Sequence, residues 1–379
     1  MSVLAISGAA GTGANGFAYL GAIGVLALLI VVHELGHFLA ARTQGIRVSK
    51  FSIGFGPVLW RYQGPETEYA LRAIPLGGFV GFPDEDPDSN IPADDPDLLQ
   101  NRPLWDRAIV ISAGVIANLI FAYLLLVLQL GIVGIPDGIR YQAGVVIPQI
   151  MSETSPAAQA GIKAGDVVVA IDSQPLPASK TAIPTLMGRI QEHPGQRLAL
   201  TLQRGAQQLT VSVTPEPGSD GKGRIGVQLF PNGMPIYRRP HHPLELFTLA
   251  ATEFQNIFEQ IIQGLGLLVT HFRDTAAQVS GPVKIVEIGA NIAQADAFSL
   301  LPFAAFISIN LAIINILPLP ALDGGQLLLL AVEGVRGKPL PTAFQEGVMQ
   351  TGLVLLLSLG VFLIVRDTAQ LAWVQRLLQ

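Results

Sequence analysis

Residues 24–41 read GVLALLIVVHELGHFLAA, an apolar run that contains three ionisable side chains, those of His33, Glu34 and His37. A helix needs about 20 mostly apolar residues to cross a lipid bilayer. The wider stretch from Phe17 to Ala41 meets that length. We therefore predict that the chain begins with a membrane-spanning helix that has ionisable residues near its end.

The composition supports a membrane protein. Of the 379 residues, 50% are hydrophobic and 13% are charged, whereas soluble domains average about 25% charged residues. The net charge of −5 gives no electrostatic reason to expect a nucleic-acid partner. The sequence contains no cysteine, which excludes disulfide bonds and thiolate catalysis.

Three further stretches are long and apolar enough to cross a bilayer. They run from about Ala108 to Val133, from Phe298 to Leu317 and from Val348 to Val365. Basic residues cluster in the connections 42–107 and 318–347, which places both connections in the cytoplasm and both termini outside.

The segments between the spans have their own patterns. Residues 46–53 and 67–74 alternate partly between polar and apolar, which predicts short strands, and the pair Gly77 and Gly78 breaks the pattern. Residues 140–230 are more polar and suggest a small soluble domain of mixed structure. The apolar residues of 244–272 recur at helical spacing, as in an amphipathic helix on the membrane or a core helix of a bundle.

We thus expect a polytopic α-helical membrane protein with about four transmembrane helices, a small β region and an inserted α+β domain. Four parts follow from these patterns: the first two spans with the cytoplasmic β region, the inserted domain, a segment with an amphipathic helix and linker, and the last two spans. They correspond to residues 1–139, 140–230, 231–297 and 298–379.

The pattern His33-Glu34-Leu35-Gly36-His37 is typical of a zinc site. On a helix, residues four apart lie on one face, so both imidazoles can bind one Zn²⁺ while the glutamate acts as general base toward a water molecule. Ionisable residues inside a bilayer are costly without a metal or a wet cavity. The alternative is that the span ends at Val32 and these side chains lie among the lipid headgroups.

A catalytic zinc site usually has three protein ligands, and the third is less obvious from the sequence. Asp323 is a candidate because Pro318 and Pro320 must break the third span just before it, although a turn or helix-cap role before Gly324 is the simpler local reading. The remaining histidines are interpreted as ordinary surface or packing residues, and they are His193, His241, His242 and His271.

Several motifs together resemble the site-2 protease family of intramembrane zinc metalloproteases, in its bacterial regulated-proteolysis branch. The pattern at 33–37 is paired with Asn315-Ile-Leu-Pro-Leu-Pro-Ala-Leu-Asp-Gly324 late in the chain. Residues 280–283 are similar to the Gly-Pro segment of that family, and residues 53–57 and 73–80 are similar to its membrane-associated β region. Residues 155–158 and 160–166 resemble part of a PDZ domain, and one such domain is found.

The resemblance implies a function and a site. His33, His37 and Asp323 would bind zinc, Glu34 would be the catalytic base, and Asn315 would contact the substrate or the developing oxyanion. Substrates would be single-pass membrane proteins, such as anti-sigma factors or signal-peptide remnants, within the lipid of a bacterial plasma membrane or, alternatively, a thylakoid or plastid membrane. Peptide C-termini are candidate ligands of the PDZ domain.

The β region suggests how a substrate could bind. A substrate helix must unwind before cleavage, and strands around 67–80, including Gly77 and Gly78, could receive the extended segment by edge pairing.

Two other functions stay open at this point. A membrane metalloprotease of the type that processes prenylated proteins would use a glutamate as third ligand, for which Glu333 is the best candidate. The chain could also be a membrane scaffold or an inactive relative without enzymatic activity.

Overall fold

The computed structural model describes residues 14–86, 89–218, 220–275 and 279–369. Within this part the chain forms two compact units, one of residues 133–240 and the other of residues 14–132 together with 241–369. The helices are α1 (Ala14–Thr43), α2 (Leu104–Ile132), α3 (Pro156–Gln159), α4 (Ala182–Glu192), α5 (Pro243–Thr270), α6 (Phe272–Thr275), α7 (Pro282–Ala295), α8 (Leu300–Ile316), α9 (Asp323–Arg336) and α10 (Thr342–Ala369). The strands are β1 (Lys50–Gln63), β2 (Glu68–Gly81), β3 (Ile135–Ile147), β4 (Asp166–Ile171), β5 (Gln174–Pro175), β6 (Leu198–Arg204), β7 (Gln207–Val213), β8 (Glu216–Pro217), β9 (Gly223–Arg224) and β10 (Phe230–Arg238).

Four helices in the described residues are long and apolar enough to cross a membrane, as the sequence predicted. They are α1, α2, α8 with the short turn before it, and α10. The observed helices α1, α2 and α10 begin before the predicted spans, because the apolar window that identifies a span does not include the polar turns at its ends.

The helices α1 and α2 cross closely because small residues line their contact. A Cβ atom on Gly36 would lie only 2.5 Å from the carbonyl oxygen of Ala113 and 2.7 Å from the Cβ of Ala117. Backbones approach this closely in membranes where interfaces contain glycine and alanine. The crossing therefore holds the His33–His37 face of α1 against α2.

The helix α5 packs one face into the bundle and is amphipathic, as its spacing predicted. Ala250 and Ile261 are buried in a cluster with residues of α2 and α8, while Leu244 and Val269 are exposed. The hydroxyl of Tyr123 donates a hydrogen bond of 3.1 Å to the carbonyl of Phe247. These contacts identify α5 as a bundle helix that also has apolar side chains exposed among the described residues.

The strands β1 and β2 form the small β region. The first part of β1, residues 50–53, lies between two parts of β2: it pairs with 68–71 in parallel and with 78–81 in the antiparallel direction. The rest of β1 pairs back on residues 68–74. Gly77 and Gly78 lie within β2, so they continue the strand, which corrects the expectation that the pattern ends there.

The chain breaks sharply between α8 and α9. The helix α8 ends at Ile316, before Pro318 and Pro320, and α9 begins at Asp323. A Cβ on Gly324 would lie 2.2 Å from the carbonyl oxygen of Ile316. Only glycine fits so tight a turn, and the turn carries the Asp323 carboxylate back toward the end of α8.

The smaller unit has the mixed α+β structure that was expected. Its strands form a six-stranded sheet in the order β10-β3-β4-β6-β7, with β5 paired to β4. The helix α4 packs Leu186 and Ile190 into a core with Val168, Leu200 and Leu202. The sheet therefore has one face covered by helix, which gives this unit a hydrophobic core of its own.

The segment between this unit and the third span contains more structure than a linker. Besides α5 it contains the 14-residue helix α7. Gly289 of α7 approaches α1 so closely that a Cβ there would lie 2.9 Å from the Cβ of Ala22. The sequence predicted a linker here, whereas the structure buries Gly289, Ala290 and Ile292 of this helix.

Candidate metal centre

Three side chains from distant parts of the sequence meet at one point in the larger unit. The Nε2 atoms of His33 and His37 are 3.2 Å apart. The Oδ2 atom of Asp323 lies 3.3 Å from the first and 3.5 Å from the second. All three side chains are at most 15% exposed. The structure thus brings together the three residues that the resemblance implied as ligands.

The His37 ring is oriented by α2. Its Nδ1 atom lies 2.8 Å from the carbonyl oxygen of Val110, to which a protonated Nδ1 donates a hydrogen bond. A neutral imidazole that donates through Nδ1 keeps a lone pair on Nε2, as metal-ligating histidines require. Gly114 makes room for the rings, because a Cβ there would lie 2.3 Å from Nε2 of His37 and 2.7 Å from Cε1 of His33.

The separation of the three donor atoms fits a zinc ion. Ligand atoms at about 2.0–2.2 Å from a tetrahedral zinc are roughly 3.3–3.5 Å from one another, and the three distances here are 3.2, 3.3 and 3.5 Å. Two imidazole nitrogens and one carboxylate are a common ligand set of catalytic zinc, which keeps a fourth position open. The Oδ2 atom is buried and has no hydrogen-bond partner among the described residues, as expected of an atom that faces a cation.

Glu34 is a residue of α1, and its side chain faces the last part of β2. Its carboxylate interacts electrostatically with His33, His37 and Asp323 and contacts the backbone of Val80 through a hydrogen bond. A Cβ on Gly78 would lie 2.9 Å from Cγ of Glu34. The carboxylate is thus held beside the three donor atoms and beside the strand 78–81.

Asn315 also reaches the site. Its Nδ2 atom lies 3.3 Å from Nε2 of His33, although the two residues are 282 positions apart in the chain. It therefore brings an amide group to the side of the donor cluster that faces the end of α8.

The alternative ligands lie elsewhere. Glu333 is buried and accepts hydrogen bonds from Arg107, from the backbone of Leu340 and from Gln345 at 2.8–2.9 Å. Three of the other histidines have local partners for their side chains. His193 bonds to the Arg189 carbonyl, His242 caps the start of α5, and His271 contacts Thr270. In the part of the chain described, the group that could hold a metal is His33, His37 and Asp323.

Residues of α2 that line the site were not identified from the sequence. Gly114 and Asn118 lie four positions apart, so they share the helix face toward His33. A glycine and an amide on one face of an otherwise apolar span could have predicted a helix contact there, because small and polar residues in spans commonly contact other helices.

Comparison with known proteins is consistent with this geometry. The model of peptidase family M50 matches residues 21–359. A protein of Nostoc sp. with a zinc metalloprotease name is 60% identical over 95% of this chain and 99% of its own length. The membrane metalloprotease ARASP, chloroplastic, of Arabidopsis thaliana is 46% identical over 95% of this chain and 80% of its own length. The regulator of sigma-E protease RseP of Escherichia coli is 30% identical over 89% of this chain and 96% of its own length.

Among solved structures, the chain matches PDZ domains. That of an SdrC-like protein from Listeria innocua is 22% identical, covers 26% of this chain and 99% of its own, and has a TM-score of 0.20. The family match includes both parts of the donor cluster, the second and third candidate spans, and most of the first and fourth. The chain therefore belongs to peptidase family M50, and it is an integral membrane zinc metalloprotease of the site-2 protease type.

Proposed function

We propose that His33, His37 and Asp323 hold one catalytic Zn²⁺ and that Glu34 is the general base for hydrolysis of peptide bonds in membrane-anchored substrates. The observation that supports this most is the meeting of the three donor atoms within 4.8 Å of one another. Two ligands come from α1 and the third from the start of α9, so the site exists only when both helices are in place.

The roles of the residues follow from their positions. A zinc ion held there would supply a Lewis acid for the scissile carbonyl and the attacking water. Glu34 takes the proton of that water and delivers it to the leaving amine. The Asn315 amide donates a hydrogen bond to the carbonyl oxygen as negative charge develops on it.

Metal content and activity separate these roles. We expect Glu34→Gln to retain about one zinc per chain and to lose cleavage of a model transmembrane substrate, because a neutral amide does not accept the proton. His33→Ala and Asp323→Ala are expected to lose the zinc as well. The matched comparison is Glu333→Gln, a variant outside the donor cluster. Zinc retained in Asp323→Ala but lost in Glu333→Gln would favour the alternative metalloprotease, in which Glu333 is the third zinc ligand.

We also propose that an extended substrate segment pairs with the strand 78–81. This strand is bonded to residues 50–53 on one side, and its Val80 backbone is at Glu34. A substrate strand beside it would lie next to the catalytic carboxylate. The glycine at position 78 leaves space for the Glu34 side chain, which therefore lies against this strand.

Backbone substitution tests this pairing. Val80→Pro removes the amide hydrogen on the side of Glu34, away from residues 50–53, and is expected to lower cleavage at least about tenfold without zinc loss, because proline cannot take part in a strand ladder. Val80→Ala is the control that shortens the side chain and keeps the amide. Equal cleavage by the two variants would rule out strand addition.

The natural substrates are proposed by class. The name of the Escherichia coli relative refers to regulation of a sigma factor, and single-pass regulatory proteins are candidates for this chain too. The unit of residues 133–240 either selects such substrates by size or recruits them by their C-terminal peptides.

A further inference from the structure

We propose that Asn118 is a positioning residue of the metal centre, whose side-chain oxygen accepts a hydrogen bond from Nδ1 of His33 and thereby directs Nε2 of His33 toward Asp323. This proposal rests on the proposed function, in which His33 is a zinc ligand.

Asn118 is fixed at the centre of the bundle. It is fully buried in α2. The Ser308 hydroxyl of α8 donates a hydrogen bond of 2.8 Å to its backbone carbonyl, and its side-chain nitrogen lies 3.4 Å from Nδ1 of His33. Asn118 therefore connects α8, through α2, to the imidazole on α1.

The protons at this contact determine how the amide must be turned. If Nε2 of His33 uses its lone pair on a metal, Nδ1 of the neutral ring must bear the proton. The nitrogen of Asn118 is a donor too, so two donors would face each other across 3.4 Å. Meanwhile the Oδ1 atom of Asn118 is buried with no partner among the described residues.

A half-turn of the amide removes the conflict. The two ends of a carboxamide have nearly the same shape, and their assignment follows from the hydrogen-bond network. Turned in this way, Oδ1 faces Nδ1 of His33 and accepts its proton, so the pair gains a hydrogen bond.

The other ligand shows the same arrangement, which is an independent observation. Nδ1 of His37 lies 2.8 Å from the Val110 carbonyl, also on α2. Val110 and Asn118 lie four positions before and four after Gly114, the residue that makes room for both rings. One helix thus supplies an acceptor for each imidazole, by backbone at one ring and by side chain at the other.

The simpler role for Asn118 is that of a buried amide that only joins helices, since such contacts are common in membrane bundles. The two roles differ in what can replace the amide. A helix-joining donor cannot be replaced by a carboxylate, whereas an acceptor for Nδ1 can, because a carboxylate is the usual acceptor behind zinc-bound histidines.

Zinc affinity of the full-length protein in detergent tests the proposal, measured by competition with a metal chelator on Asn118→Leu, Asn118→Asp and Ser308→Ala. We expect Asn118→Leu to bind zinc 10–100-fold more weakly, the usual loss when a partner behind a ligand is removed. We expect Asn118→Asp to bind within a few-fold of the unmodified chain. Ser308→Ala, which loosens the same helix contact without touching His33, should bind normally.

Three results would overturn it. They are undiminished affinity in Asn118→Leu, a loss in Asn118→Asp as large as in Asn118→Leu, or an equal loss in Ser308→Ala. If Asn118→Leu does not fold, the zinc affinity of Asn118→Asp tests the proposal by itself, because an ionised carboxylate can only accept a hydrogen bond from Nδ1 of His33. His33→Ala is measured in parallel. If that variant keeps its zinc, the ligand assignment fails; if it loses zinc while Asn118→Leu does not, only the role of Asn118 fails.

Discussion

At the scale of single residues, the absence of a side chain shapes this site as much as its presence. Gly114 lies where any Cβ would press on both imidazoles, and Gly78 lies where a Cβ would press on Glu34. The spacing of His33, Glu34 and His37 made them candidates from the sequence alone, whereas Asp323 became one through the family resemblance, because its local sequence equally fits a turn or helix cap. The glycines could not be identified in either way, since the need for space arises only when another helix or strand is present.

Substitution of Gly114 should therefore affect the metal rather than the fold of α2. We expect Gly114→Ala to weaken zinc binding at least about tenfold, because the new Cβ would lie 2.3 Å from Nε2 of His37 and shifted ligands lose affinity. The control is Gly131→Ala on the same helix, where a Cβ would meet no described atom within 4 Å. Chelator competition on both variants checks this, and equal affinities would contradict it.

At the scale of elements, the sequence predicted the four spans and the β region because hydropathy and alternation are local properties. The helix α7 and the details of the α8–α9 turn were not predicted, because they depend on partners far along the chain. Glu333 illustrates this limit. Its sequence position made it a candidate ligand, but in the fold it is 4% exposed and its carboxylate lies 2.9 Å from the guanidinium of Arg107.

This ion pair should hold α9 and the start of α10 to α2. Glu333→Ala removes the acceptor of the Arg107 guanidinium and of the Leu340 amide, and leaves Gln345 with its bond to the Leu340 carbonyl. We expect a loss of roughly 3–5 kcal/mol in the free energy of unfolding, as for removal of one partner of a buried pair. Denaturant unfolding in detergent measures it.

Two comparisons sharpen this test. Glu287→Ala breaks a more exposed pair, with Lys284, and should cost less than about 1 kcal/mol. Replacing both Arg107 and Glu333 by methionine should restore much of the stability, because no buried charge is then left unpaired. A loss of similar size in Glu287→Ala and Glu333→Ala would refute the special role of the buried pair.

At the scale of the whole molecule, the two units share one stabilising feature. Both units contain a buried carboxylate paired with an arginine: Glu333 with Arg107 in the larger unit, and Asp166 with Arg204 in the unit of residues 133–240. Burial raises the pKa of Asp166, but hydrogen bonds from Arg204 and from the Lys163 backbone, at 2.7–2.8 Å, outweigh it and hold this pKa below its usual value.

The stability of the smaller unit should consequently fall in acid. Because the pKa of Asp166 is lower in the folded than in the unfolded chain, its contribution is complete above about pH 4–5 and is lost as the pH falls through the folded value. Hydrogen exchange of the β4 and β6 amides in the full-length chain, corrected for intrinsic rates, measures this. Asp166→Asn should exchange faster at neutral pH, and its difference from the unmodified chain should shrink in acid. A difference that stays constant would be evidence against this linkage.

The smaller unit should also be removable without loss of the metal centre. Its first and last strands are paired, with Ile135 opposite Arg238, so the two points where it joins the rest of the chain are about 5 Å apart between Cα atoms. A short glycine-serine linker in place of residues 136–237 can span that gap. Because His33, His37 and Asp323 all belong to the larger unit, we expect the shortened protein to bind about one zinc per chain.

Cleavage of a panel of substrates by the shortened protein then decides what the smaller unit does. Broader cleavage indicates that the unit excludes substrates, and lost cleavage with zinc retained indicates that it recruits them. Loss of the zinc itself would mean that the metal centre depends on residues 136–237.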